Sequence, residues 1–312
     1  MEVLHEFPAG DEGGPGSVVT IGSFDGVHVG HRRLLRRVRT QAARDHLSAV
    51  AVTFDPHPRC VVDPSGCPPL LCSLEDRIEL LGQNGADRVL VIPFTRELSM
   101  WSADRFATTL VESLGMRRLI VGPGFALGHG RTGNVEFLER RGRERGFRVS
   151  TVAPAKRGGL PVSSGRVRDS IAAGSFASAV SMLGRPYVLE GIVERGEGRG
   201  AGLGVPTANV GVPATRCMPA AGVYAGWLNF GNGWRTAATG IGTRPTFGGG
   251  SVTVEAHVLD FTGDLYGREV RLALIRRIRF ERAFSSITEL KAAMARDIAH
   301  TRDIAQRSSP PS

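Results

Sequence analysis

Thr20-Ile21-Gly22-Ser23-Phe24-Asp25-Gly26-Val27-His28-Val29-Gly30-His31 decides how the N-terminal half of this chain is read. Val18, Val19 and Ile21 spell a short buried strand, and Gly22 and Gly26 let the chain turn sharply. After Gly30, Leu34, Leu35 and Val38 recur at helical spacing, with arginines on the outer face. A strand, a glycine turn and a helix N-terminus leave backbone N–H groups pointing outward, which makes an anion site. His28 and His31 can add donors to a phosphate bound there. Two histidines at this spacing can also ligate a metal, but metal sites usually add a third ligand nearby. The flanking glycines leave little side chain to pack them, so a nucleotide site is the better reading.

Working outward, residues 17 to about 183 alternate apolar runs with helical stretches. The runs fall at 18–21, 49–54, 88–92, 118–121 and 147–152, and the helical patterns at about 31–45, 73–83, 102–115 and 131–145. This alternation predicts a Rossmann-like α/β domain with a parallel sheet and helices on both faces. Ligands of such sheets bind at the carboxyl ends of the strands, where His28 and His31 fall.

The pattern changes near Gly184-Arg185-Pro186. Strand-like stretches follow around 187–194, 222–230, 234–241, 252–261 and 269–279, and a helix over about 286–304 carries Ile287, Leu290, Met294 and Ile298 on one face. Consecutive strands without intervening helices predict an antiparallel β-barrel. The expected domains are 1–183 and 184–307, with a disordered tail over 308–312.

The 312 residues suffice for two cores, and no apolar run is long enough to span a membrane. The N-terminus does not read as a signal peptide. Cys60, Cys67, Cys72 and Cys217 fit no zinc spacing and are read as reduced thiols of a cytoplasmic protein. The formal charge is +9, yet Lys156 and Lys291 are the only lysines, a bias that a GC-rich coding sequence explains. No nucleic-acid motif accompanies the charge, so its expected use is attraction of anionic nucleotides.

Phe24-Asp25-Gly26-Val27-His28-Val29-Gly30-His31 resembles the H-x-G-H signature of the nucleotidyltransferases, and in its fuller form the bacterial bifunctional riboflavin kinase/FAD synthetase family. Further strings match that family in order: Thr53-Phe54-Asp55-Pro56-His57-Pro58, Ser163-Ser164-Gly165-Arg166-Val167-Arg168, Gly204-Val205-Pro206-Thr207-Ala208-Asn209, Gly242-Thr243-Arg244-Pro245-Thr246-Phe247, Val254-Glu255-Ala256-His257-Val258-Leu259-Asp260-Phe261 and Asp264-Leu265-Tyr266-Gly267. The resemblance implies two reactions with ATP as a substrate of each. Riboflavin is phosphorylated to FMN in the barrel, and FMN is adenylylated to FAD in the N-terminal domain with release of pyrophosphate.

For adenylyl transfer the resemblance implies that His28, His31 and Arg168 act on the ATP phosphates, with Gly22, Phe24, Gly30, Ser163 and Ser164 around them. Asp25 and His57 are secondary candidates. Alone, Ser163-Ser164 reads as a helix cap. Two departures weaken this site: Gly124 stands where the family usually has Asp or Asn, and Gly165 where it usually has threonine.

For the kinase, a glycine loop with Gly198 and Gly200 can admit phosphate oxygens to backbone N–H groups, although such loops are usually plain turns. Thr207 and Asn209 offer the hard oxygen ligands that suit Mg²⁺. Glu255 lies opposite apolar Val254, Ala256 and Val258, where without the resemblance it reads as an ordinary exposed glutamate. With it, Glu255 is the expected general base. Gly240 replaces a common asparagine. The alternatives are a kinase with a degenerate or altered adenylyltransferase domain, or a flavin-binding regulator without turnover. No nucleic-acid or membrane partner is expected, and protein partners are left open.

Overall fold

The computed structural model describes residues 1–10, 14–196, 199–244 and 251–311. They form two compact units, Met1–Ser163 and Ser164–Ser312.

The first unit is built on six strands: β1 (Glu2–Leu4), β2 (Ser17–Ile21), β3 (Ser48–Asp55), β4 (Arg88–Pro93), β5 (Met116–Val121) and β6 (Arg148–Thr151). Their order is β1-β4-β3-β2-β5-β6, and every pairing is parallel. The near-continuous apolar runs reflect burial on both faces. Val19, Val50, Val52 and Leu90 pack on one side with Phe106, Leu110 and Leu114 of α3 (Ala103–Leu114) and Leu138 of α4 (Val135–Arg145). Val18, Ala49, Ala51 and Val89 pack on the other with Leu34, Leu35 and Val38 of α1 (Val29–Asp45) and Leu81 of α2 (Leu74–Gln83). The edge strand β1 escaped the sequence reading because three residues carry no period.

The second unit opens with α5 (Ser164–Ala172) and α6 (Phe176–Leu183). A closed antiparallel barrel follows: β7 (Tyr187–Glu194), β8 (Ala208–Gly211), β9 (Gly222–Asn229), β10 (Trp234–Arg244), β11 (Ser251–Val258) and β12 (Glu269–Phe280), in the order β7-β8-β11-β10-β9-β12. Helix α7 (Ile287–Gln306) completes the unit, and Ser308–Pro311 form neither helix nor strand. The compact units divide at Ser163/Ser164, while the residue pattern changes near Leu183. The reason is packing. Buried Phe176 of α6 sets its ring 6.3 Å from Tyr187 and 5.0 Å from Tyr224, both in the barrel.

Candidate functional sites

The strand order reverses at β2, flanked by β3 and β5, and open α/β sheets bind ligands at the carboxyl ends beside such a point. A cleft of about 940 Å³ opens there, lined by Gly22, Phe24 and His31 after β2, Phe54 and His57 at the end of β3, and Gly122–Phe125 after β5. Arg59, Arg96, Arg131 and His129 join the lining, while among the described residues no aspartate or glutamate does. Such a wall favours a polyanion.

His28 has an indirect place at this site. It is buried and caps α1, its Nδ1 accepting from the Gly30 and His31 N–H groups at 3.2 and 3.3 Å. Those two N–H groups, expected to face a phosphate, therefore face an imidazole. Its ring stacks on His31 with centroids 3.7 Å apart, and Phe24 meets His31 edge-on at 5.1 Å. Gly30 is needed for this arrangement, since a Cβ there would lie 2.9 Å from the His28 ring. His28 thus sets the ring of His31, and His31 lines the cleft.

Asp25 does not line the cleft. It is fully buried, and its Oδ1 and Oδ2 accept from Leu71 N–H at 2.9 and 3.1 Å. Cys72 N–H adds a longer bond at 3.3 Å, so Asp25 braces the loop at residues 71–72. His57 lines the cleft and caps the short helix Pro58–Val62 through Arg59 N–H at 3.2 Å. Cys60 and Cys67 form a disulfide across the loop that follows His57, which corrects the expectation of four reduced thiols; Cys72 and Cys217 are buried and form no disulfide. Within that loop, the Ser65 hydroxyl and Gly66 N–H hold the Asp63 carboxyl below the usual carboxylate range. Ser163 ends the first unit, whereas Ser164 and Arg168 lie on α5 of the second.

The second unit has its own cleft, about 330 Å³, between the outer face of the barrel and α7. Val254, Ala256 and Val258 are buried on one face of β11, and Thr253, Glu255 and His257 line the cleft from the other. Register sets Asn209 opposite Glu255. Thr207 Oγ1 donates to Glu255 Oε2 at 3.4 Å, and His257 Nδ1 lies 2.8 Å from the Pro206 carbonyl. Gly196 packs against the Asn209 amide, and a Cβ at Gly200, in the short helix Arg199–Gly202, would lie 3.1 Å from Thr207 Oγ1. Gly198 lies outside the described residues, as do residues 245–247 of the string 242–247. Gly240 lines the cleft with room for a side chain.

Arg279 of β12 forks onto the buried Asp297 of α7, with contacts of 2.9 to 3.1 Å, and both line the cleft. At the start of α7, the N–H and hydroxyl of Ser285 hold the Glu289 carboxyl below its ordinary range. No family string contains Asp297 or the arginines of the first cleft. Only the arrangement in space brings them to a site.

A cleft at the switch point of a parallel sheet with no acid among its described lining residues, and a barrel face with a carboxylate beside a hydroxyl, suit a two-part nucleotide-using transferase. Residues 11–166 match the FAD synthetase family and residues 183–305 the riboflavin kinase family. Curated bifunctional riboflavin kinase/FMN adenylyltransferases are similar over nearly their whole length. That of Pseudomonas fluorescens is 39% identical over 94% of both chains, and that of Escherichia coli (strain K12) 38% over 92% of both. A solved structure described as a macrolide-efflux protein from Streptococcus pneumoniae is 26% identical with a TM-score of 0.87, covering 97% of this chain and 99% of its own. The chain belongs to the bifunctional riboflavin kinase/FMN adenylyltransferase family: it phosphorylates riboflavin to FMN and adenylylates FMN to FAD. Among the described residues, no helix is long and apolar enough to cross a membrane.

Proposed function

We propose that the two reactions use the two clefts with the following division of roles. In the first, a phosphate oxygen of FMN attacks the α-phosphorus of ATP as the α–β bridging P–O bond breaks and pyrophosphate leaves. Alignment and neutralisation of growing negative charge are the main demands. His31 donates to the phosphates, His28 sets its ring, and Gly22, Phe24 and Gly30 shape the turn beneath them. The family string that carries Ser163, Ser164 and Arg168 implies further phosphate donors, the guanidinium fork being suited to paired oxygens. The arginines and histidines of the lining, with no acid among the described residues, support this reading.

In the second cleft, Glu255 accepts the proton of the riboflavin 5′-hydroxyl as that oxygen attacks the γ-phosphorus and ADP leaves. The observation that carries this is Glu255 beside Thr207 on the outward face of β11. Gly198 and Gly200 belong to the loop that covers the phosphates. The hydroxyl of Thr207 and the amide oxygen of Asn209 are hard donors, and no cluster of three His, Cys, Asp or Glu side chains is found among the described residues. That set fits Mg²⁺ held partly by substrate phosphates rather than by a protein cage. Bound there, Mg²⁺ neutralises phosphate charge. Use of ATP in both steps supports a cytoplasmic place of work.

The test is His31→Ala, assayed for each reaction separately. FAD formation from FMN should fall by about 10²-fold or more, as loss of a donor to transition-state charge implies, with riboflavin phosphorylation unchanged. Normal FAD formation would remove His31 from the reaction.

A further inference from the structure

The pairing of β8 with β11 is short. It runs through Asn209↔Glu255 and Ala208↔Ala256 and goes no further. Thr207 lies just beyond its end, and Pro206 before it has no N–H with which to continue a ladder. What continues the connection is a side chain. His257 lies two residues past Glu255 on the same cleft-lining face, and its Nδ1 is 2.8 Å from the Pro206 carbonyl oxygen. A carbonyl only accepts, so the imidazole donates Nδ1–H.

We propose that His257 is a positioning residue of the kinase: it fixes the Pro206–Thr207 peptide and so holds the Thr207 hydroxyl at Glu255. The inference rests on the roles proposed above for Thr207 and Glu255. The contact it protects is a weak one, because 3.4 Å is long for an O–H···O bond. Thr207 is β-branched, so its hydroxyl goes where its backbone directs it. Gly200 passes close to Thr207 and its carbonyl accepts from Val205 N–H at 2.9 Å, while the Pro206 carbonyl is the handle by which His257 of β11 holds this peptide. A small shift of that peptide separates Thr207 from Glu255, and misplacement of this size costs rate rather than fold.

Three variants test this: His257→Ala, His257→Asn and His257→Gln. Asparagine sets its amide N–H close to the place of imidazole Nδ1, whereas glutamine carries it one bond further out. His257→Ala should lower the riboflavin kinase kcat by about tenfold, the size expected for one lost hydrogen bond. KM for riboflavin should change less than about twofold, and FMN adenylylation should stay level as the internal control for an intact chain. His257→Asn should recover most of the kcat and His257→Gln should not. In a Thr207→Ala background, His257→Ala should cost less than about twofold more, since the two changes break one link. Full kcat in His257→Ala, equal losses in the Asn and Gln variants, or additive losses with Thr207→Ala would each overturn the proposal. Glu255→Gln separates the two failures. If it is inactive while His257→Ala is normal, only the positioning role falls; if it is active, the reading of the kinase site falls first.

Discussion

Thr207 Oγ1 and Glu255 Oε2 lie 3.4 Å apart, although 48 residues of chain separate them. Barrel register brings them together, since β8 pairs with β11 so that Asn209 stands opposite Glu255. The hydroxyl and the carboxylate therefore face one cleft without any helix or loop carrying both. Gly196 and Gly200 have little room for a side chain, since a Cβ on the first would meet the Asn209 amide and one on the second the Val205 carbonyl and the Thr207 hydroxyl.

The stacked imidazoles at the first cleft separate structure from chemistry. His28→Asn keeps a side-chain acceptor for the start of α1 and loses the ring that stacks on His31. His28→Ala loses both. The alanine variant should be destabilised by about 0.5–2 kcal/mol, the usual cost of a lost N-cap, and the asparagine variant much less. Both should lose FAD synthesis by a similar factor. Thermal unfolding together with FMN adenylylation rates checks this; full activity in His28→Asn would show that the stacking has no functional weight.

Gly124 has φ +69° with nothing within 4 Å of an added Cβ, and Gly165 is exposed on α5. Asp tolerates the left-handed region better than most residues, so Gly124→Asp fits the observed backbone. The pair Gly124→Asp and Gly165→Thr should speed FAD formation by about one decade, the size of one or two hydrogen bonds to charged groups. FMN formation should not change. Separation of FMN and FAD over time gives both rates, and an unchanged FAD rate would mean that neither glycine limits the site.

A kinase fragment should begin at Ser164. Cutting at Gly184 removes Phe176 from Tyr187 and Tyr224 and uncovers both rings. Loss of a buried phenylalanine alone costs about 3–5 kcal/mol, enough to unfold many domains of this size. The fragment Ser164–Ser312 should stay folded and make FMN from riboflavin and Mg-ATP. Equal solubility and activity of the two fragments would contradict this account of the boundary.

Cys60–Cys67 closes the loop carrying Arg59 and Val62, two residues that line the first cleft. Reducing it should raise KM for the substrates of FAD synthesis severalfold, because a cross-link limits the freedom of the loop it closes. The kinase reaction should not change. Cys60→Ser should mimic the reduced enzyme, and identical FMN adenylylation in all three forms would show that this loop does not contribute.

The parallel sheet was legible because its strands are buried on both faces and so read as unbroken apolar runs. The barrel was legible as strands without helices between them, except β8. Its residues Ala208–Gly211 lie among prolines and glycines with no alternating stretch to announce them. Glu255 was legible from the period of β11. The partners of Asp25 were not legible, because only tertiary structure gives this carboxylate the N–H groups of Leu71 and Cys72. Arg59, Arg96 and Arg131 were hidden for a different reason. In a chain this rich in arginine, single residues carry no signal until the fold gathers them at one cleft.

Glu255→Gln separates proton acceptance from shape, because the amide keeps the outline of the carboxylate and cannot take a proton. The measurement is the time course of riboflavin, FMN and FAD with Mg-ATP, started once from riboflavin and once from FMN. From riboflavin, FMN formation should fall by about 10²–10⁴-fold, the usual contribution of a general base. From FMN, FAD should form at the unaltered rate. FMN production near the normal rate would contradict the account, and so would equal loss of both reactions in a folded protein.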